Sequence, residues 1–228
     1  MFRRFAWMAF AFAASAFAQQ QAGQRPARVV RPPLFLKEDW KQLPSGGEHP
    51  VTLAATGTPE LELKLYGPAS KDIQLTGKEG DENDPIHLWT GLCTANCAAT
   101  LRDKNNFADL TGLARIRWVT KVSGFHKVRP LLKLADGTFL VGDHADGSMV
   151  DWQENEFLLA DVNWLKLDPE KVVTRGTWVE KPDLSKVDEV GFVDLMQGSG
   201  HGQGGWSDIA RIEVYGKAVK RDSAGQSQ

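Results

Sequence analysis

The sequence predicts an all-β protein, an antiparallel β-sandwich forming one domain. Three observations lead there. First, apolar and polar residues alternate in several segments. Leu61, Leu63 and Leu65 alternate with Glu60, Glu62 and Lys64; Ile116, Trp118, Thr120 and Val122 alternate with Arg115, Arg117, Val119 and Lys121; Ala210, Ile212 and Val214 alternate with Arg211, Glu213 and Tyr215. Successive side chains leave a strand on opposite faces, so a period of two with one apolar side marks a half-buried strand. Second, turn formers recur at short intervals, among them Gly57, Gly67-Pro68, Gly77, Gly80, Gly112, Asp136-Gly137, Asp146-Gly147 and Gly176. Third, no long stretch keeps a helical period.

Taken from the N-terminus, Arg3 and Arg4 precede an apolar run from Phe5 to Phe17 that ends in Ala16-Phe17-Ala18. This reads as a secretory signal peptide over residues 1–18, cleaved before Gln19. The run is shorter than the ~20 apolar residues of a membrane-crossing helix. A periplasmic or secreted protein is therefore expected, without membrane insertion once the signal is removed. Residues 19–33 read as a disordered leader, 34–216 as the β-sandwich domain and 217–228 as a disordered tail. Two of the 27 basic residues lie in the signal peptide, which leaves 25 basic against 29 acidic groups. A mildly acidic chain has no general attraction for nucleic acid, so none is expected as a partner.

Further strands are expected near 34–40, 50–56, 73–77, 86–90, 97–102, 127–135, 138–142, 149–152, 157–160, 163–168, 172–179 and 189–195. Asp136-Gly137 between two apolar runs marks a hairpin. Pro182-Asp183-Leu184-Ser185-Lys186 is read as one helical turn. Pairing 114–122 with 127–135 as a hairpin would set Val122 opposite Val128, Trp118 opposite Leu132 and Ile116 opposite Leu134. The same register sets Lys121 against Arg129 and Arg117 against Lys133, and like charges directly opposed destabilise a pair. Neutralisation by neighbouring acids, Glu213 and Asp168, is the preferred resolution; attraction of an acidic glycan is the other. Pro130 in that strand suits an edge or a bulge. Cys93 and Cys97 are expected to form a local disulfide in an oxidising compartment, with free thiols or metal ligation as alternatives.

The second half of the chain carries an ordered set of pieces. Asp109-Leu110-Thr111-Gly112 leads into the strand at 114–122, and Ala135-Asp136-Gly137 turns the next pair. Phe157-Leu158-Leu159-Ala160, Trp164-Leu165-Lys166-Leu167 and Asp183-Leu184-Ser185-Lys186-Val187 follow, then Val190-Gly191-Phe192. The chain closes with 206–216, Trp206 to Gly216. This order resembles the galactose-binding-domain-like jelly roll found in some carbohydrate-binding modules, over about residues 107–218. The resemblance implies a sandwich fold and a glycan partner. That family also includes enzyme-appended modules and domains without a known ligand, so fold alone does not fix activity.

Seven tryptophans remain after the signal peptide. A Trp ring can stack on the C–H face of a sugar while polar neighbours bond its hydroxyls. Trp118 shares parity with Ile116 and Val122 and is assigned to the core. Trp164 faces away from Leu165 and Leu167. Trp89, Trp152 and Trp206 adjoin polar, turn-rich segments and are the ligand-binding candidates. Two loops join them. In 198–205, five glycines let backbone approach a ligand and His201 can donate to a hydroxyl; in 142–147, Asp143 and His144 are hydroxyl partners. Arg117 and Arg129 complete the set, as the charges an acidic glycan would meet. Packing residues and ordinary turns are the competing assignment for each.

The acidic turn 79–85 could hold a structural calcium, though its spacing is not that of an EF-hand; no other cofactor is expected. No nucleophile elbow and no His-Glu-x-x-His zinc motif occurs. Glu154, Glu156 and Glu180 are carboxylates whose separation, which glycoside hydrolysis requires, is invisible in sequence. No catalytic residues are therefore assigned. The function read from the sequence is a non-catalytic, exported carbohydrate-binding module. The alternatives are a small secreted glycan-active hydrolase or lyase, and a structural or protein-interaction domain of the envelope.

Overall fold

The computed structural model describes residues 30–44, 51–171, 176–195 and 205–221. Fifteen strands run in order: β1 (Leu34–Asp39), β2 (Leu61–Tyr66), β3 (Gln74–Thr76), β4 (His87–Trp89), β5 (Cys97–Asp103), β6 (Asn106–Asp109), β7 (Arg115–Val122) and β8 (Val128–Leu134). Then come β9 (Phe139–Gly142), β10 (Met149–Leu158), β11 (Trp164–Lys166), β12 (Thr177–Val179), β13 (Val187–Asp194), β14 (Ser207–Tyr215) and β15 (Lys217–Lys220). They form two sheets. The smaller has the order β10-β7-β14-β4-β3, with β1 also pairing with β14. The larger has the order β12-β11-β9-β8-β13-β5-β2, with β6 pairing with β13 and β15. Every pairing is antiparallel. The all-β sandwich expected from the alternation is therefore the fold.

Alternation builds the core directly. Along β7 every second residue, Ile116, Trp118, Thr120 and Val122, is buried, while Arg115, Arg117, Val119 and Lys121 are only partly covered. From the other sheet Leu61, Leu101, Val128, Leu132, Val190 and Phe192 pack into the same cluster. Burying side chains of this size contributes ~1.5–3 kcal/mol each, the main favourable term of folding. Trp164 enters this core. Leu165 and Leu167 face the other way, into a second cluster on the outer surface of the larger sheet with Ala98, Leu131, Val141 and Val193.

Several sequence expectations are corrected. Strands β7 and β8 do not form a hairpin: β7 pairs with β10 and β14, β8 with β9 and β13. Their apolar sides do match, but across the sandwich interior rather than side by side. The connection through Gly124, at φ 67°, carries the chain from one sheet to the other. Pro130 lies in a strand paired on both sides; the ladder to β9 begins only at Leu131, so its missing N–H breaks no bond there. Residues 53–55 form a 3₁₀ turn instead of a strand, capped by Thr52 Oγ1 accepting from the Ala54 N–H. The two strands read at 149–152 and 157–160 are one, with an irregularity between Met149 and Gln153. The segment at 182–186 is extended or bent, with no helical turn. Strand β6, missed in sequence, pairs with β15, which occupies the start of the expected tail.

Cys93 and Cys97 are free, buried thiols with no bridge between them. The Cys93 S–H donates to the Ala69 carbonyl at 3.5 Å, and Cys97 packs in the core as a small apolar residue. Burial, then the hydrogen bond with Cys93, pushes the Cys97 thiol well above its usual pKa. Among the described residues no helix is long and apolar enough to cross a membrane. The signal peptide and all of the leader before Val30 lie outside the described residues.

Candidate functional site

The three tryptophans singled out in sequence meet on the outer face of the smaller sheet. Leu88 points into the core, so its strand neighbours His87 and Trp89 emerge on the opposite face. On β14, Ile209 points inward and Asp208 outward, and Trp206 shares the parity of Asp208. In the ladder Asp208 stands directly between Trp89 of β4 and Lys121 of β7. The Trp89 ring folds over Gly91: a Cβ there would lie 2.1 Å from Trp89 Cζ2, so only glycine leaves the ring its place.

Trp152 arrives from the edge strand β10. Its ring meets the His87 ring edge-on, with centroids 5.1 Å apart and planes at 64°. Its indole N–H donates to the Asn83 carbonyl at 3.1 Å. Lys121 Nζ sits 5.7 Å from the Trp152 ring centroid, within range of a cation–π attraction. Trp89, Trp152 and Trp206 are each half-buried, which leaves apolar ring surface open to solvent.

At the centre is a buried pair, His87 and Asp208. His87 Nδ1 lies 2.7 Å from the Pro85 carbonyl. That contact requires Nδ1 to carry the proton, which leaves Nε2 a bare lone pair. Nε2 faces Asp208 Oδ1 at 3.5 Å. Oδ1 is buried and finds no hydrogen-bond donor among the described residues. Burial drives the Asp208 carboxyl up to about 7, against the opposing pull of Lys121 and a hydrogen bond from Trp206. Burial likewise pushes the His87 pKa down, opposed by the Pro85 contact and the Asp84 charge. Both groups are thus biased toward their neutral forms.

The other predicted residues lie elsewhere. His144 stacks on Phe157, with centroids 3.9 Å apart, and contacts Asp146 Oδ1 at 3.2 Å through Nε2. Asp146 also accepts from Trp118 Nε1 at 2.7 Å, Thr120 Oγ1 at 2.9 Å and Asn155 Nδ2 at 2.9 Å. These bonds tie the loop to the sheet and the core. Asp143 accepts from the Asn163 side-chain amide at 2.7 Å and its backbone N–H at 2.9 Å. Arg129, on the larger sheet, donates through Nε to the Gly142 carbonyl at 2.7 Å. His201 lies outside the described residues.

Arg117 shares the tryptophan-bearing face but is surrounded by acidic partners. Its Nη2 donates to the Tyr215 hydroxyl at 2.7 Å, and Glu213, Glu154 and Glu156 lie within 3.5 Å. Neutralisation by Glu213 is therefore realised, whereas Asp168 pairs with Lys171. Lys133 lies on the other sheet, bonded to Tyr66 and Glu189. Glu154 and Glu156 are held by Arg117, Arg211 and Arg115. The acidic turn closes on itself, with Asp81 Oδ1 accepting from the Asn83 and Asp84 N–H groups at 3.0 and 3.3 Å. Among the described residues no group of three or more His, Cys, Asp or Glu side chains could hold a metal ion.

His87, Lys121 and Asp208 were missed in sequence, though parity marks them. His87 is two residues from Trp89, and Asp208 two from Trp206, so each shares its tryptophan's face. A groove of about 710 Å³ lies apart from this face, lined among others by Leu110, Asp143, Trp164, Trp178 and Glu180. Trp178 there is 60% exposed.

No protein-family model matches the chain, and no curated protein does. Among solved structures it is similar to a family 11 carbohydrate-binding module from Clostridium thermocellum in complex with a β-1,3-1,4-mixed-linked tetrasaccharide. That match has 15% identity and a TM-score of 0.44 over 72% of this chain and 93% of the other. It is also similar to TmCBM61 in complex with β-1,4-galactotriose, with 13% identity, a TM-score of 0.38, and 68% and 88% coverage. An exo-β-agarase matches at 8% identity and a TM-score of 0.40, over 76% of this chain and 26% of the enzyme.

Proposed function

We propose that this chain is an exported, non-catalytic carbohydrate-binding module whose binding surface is the outer face of the smaller sheet. One observation carries the reading: Trp89, Trp152 and Trp206, from three different strand neighbourhoods, converge around His87, Lys121 and Asp208. Half-buried indoles supply flat apolar platforms for pyranose C–H faces. Trp152 and Trp206 have their N–H groups turned to partners within the protein, which fixes the rings without using their open surfaces.

The ligand best suited to this face is a neutral chain. Arg117, the cation singled out in sequence for an acidic glycan, is committed to Glu213, Glu154 and Glu156, and Lys121, the other cation near the rings, stands over Trp152 and beside Asp208. Affinity electrophoresis against mixed-linkage β-glucan, β-1,4-galactan, agarose and a polyuronate tests the reading. Retardation by at least one neutral polymer, lost in Trp89→Ala and Trp152→Ala, is expected. Unchanged mobility on every polymer, or retardation that survives both substitutions, rejects it.

A further inference from the structure

We propose that His87 and Asp208 are the positioning pair of this tryptophan platform, and that they hold a single shared proton when the platform is in its binding form. The inference deepens the carbohydrate-binding reading and rests on it for the ligand, but not for the proton.

The geometry requires the proton. The Pro85 carbonyl, 2.7 Å from Nδ1, fixes the imidazole tautomer, so Nε2 presents a lone pair toward Asp208 Oδ1. If Asp208 is ionised and His87 neutral, two acceptors face each other 3.5 Å apart with no donor between them among the described residues. That arrangement leaves a buried carboxylate oxygen unsatisfied, which is costly. One proton on the carboxyl turns the repulsion into an O–H donated to Nε2. A second proton would put an imidazolium beside a neutral acid in a buried site and is disfavoured in turn.

The pair is linked to all three tryptophans, through side chains for Trp152 and Trp206 and through the strand ladder for Trp89. Trp152 packs edge-on against His87, Trp206 bonds Asp208, and Trp89 is the ladder partner of Asp208. The charged groups facing the pair are few. Lys121 of β7 favours ionised Asp208 and opposes a charged His87; Asp84, ahead of β4, does the reverse for each. From β3, Gln74 and Thr76 stand opposite Trp89 and His87 and carry no charge. Burial, acting on both members, raises the Asp208 pKa to about 7 and places the change near neutrality.

The test follows tryptophan fluorescence and the His87 ring resonances from pH 5 to 9, in the wild type and in Asp208→Asn. The asparagine amide can donate to Nε2 at every pH and so mimics the protonated acid. A transition near neutral pH is expected in the wild type and absent from Asp208→Asn. Retardation by whichever neutral polysaccharide binds should weaken about tenfold between pH 6 and 8.5 in the wild type, the loss of one strong hydrogen bond, and stay level in the variant. If both proteins share one pH profile, or neither shows a transition, the shared proton is refuted. Should no polysaccharide bind at all, the carbohydrate reading fails while the fluorescence and resonance data still decide the proton. His87→Gln, which keeps a polar side chain of similar reach, should remove the transition too; its persistence there would also refute the pair.

Discussion

Two aspartates, Asp208 buried and Asp146 partly buried, lie on opposite sides of the smaller sheet, and their environments differ sharply. Asp146, on the core side, accepts from Trp118, Thr120, Asn155 and His144. Although burial pushes its pKa up, those hydrogen bonds outweigh it and hold the carboxyl below its ordinary range. Asp208, under the outer tryptophans, keeps one buried oxygen without a donor among the described residues, and burial prevails. A satisfied carboxylate is a structural knot; an unsatisfied one held beneath open aromatic rings retains chemistry to spend on protons or ligands.

The largest effect should come from cutting the knot. Asp146→Ala removes the acceptor for four donors at once, two of them on the buried residues Trp118 and Thr120. A loss of ~3 kcal/mol or more in denaturant unfolding is expected. If Asp146→Ala cost no more than Asp208→Ala, the contrast between the two sites would collapse.

Binding should show the opposite ranking. Trp152→Ala or Trp89→Ala each removes a platform and should weaken glycan binding about 30-fold, as a central aromatic contact does. Trp178→Ala, in the separate groove, should leave affinity within about twofold, by the usual additivity of distant sites. Isothermal titration of the three variants with one bound oligosaccharide separates the regions; equal losses at Trp178 and Trp152 would move the site to the groove.

Smaller still is the pH dependence of stability, where the two aspartates have opposite signs. Asp146 has a depressed folded pKa, so its contribution is present above the ordinary value of 3.8 and is lost as pH falls through the folded pKa. Asp208 has a raised folded pKa, so the folded state keeps a proton that the unfolded chain releases, and stability falls as pH rises. Below the ordinary histidine value of 6.5, unfolded His87 binds a proton that its folded form resists, which offsets the Asp208 slope. The decline is therefore unopposed by His87 between about 6.5 and 7. Asp208→Asn should flatten it, and Asp146→Asn should flatten only the acid limb, in thermal unfolding followed from pH 3 to 8.

Much of this arrangement could be read from alternation, because burial on one strand face is a local property. Ile116, Trp118 and Val122 declare their side unaided. The parity of His87 with Trp89, and of Asp208 with Trp206, was equally visible. What the sequence could not show was that β4, β14, β7 and β10 lie side by side, since each neighbour comes from a distant part of the chain. The misread hairpin has the same origin. Apolar faces on β7 and β8 are compatible with pairing edge to edge or with facing each other across a core, and only the tertiary fold chooses. His144 and Asp143 looked like ligand groups because Asp and His bond hydroxyls. Two of their partners, Phe157 and Asn163, are brought to them only by the folded sheet.

The least perturbing substitution sharpens the ligand class. Arg117 looks in sequence like an anion receptor, yet three carboxylates and the Tyr215 hydroxyl surround it. Partly exposed ion pairs of this kind contribute little to stability, and a cation already neutralised several times over attracts little more. Arg117→Gln should therefore leave the denaturation midpoint almost unmoved and glycan affinity unchanged, at low salt as at high. A loss of binding confined to low ionic strength would instead show that the arginine's field reaches the ligand. The tryptophan face would then belong to an acidic polysaccharide, with Asp208 repelling what Arg117 draws in.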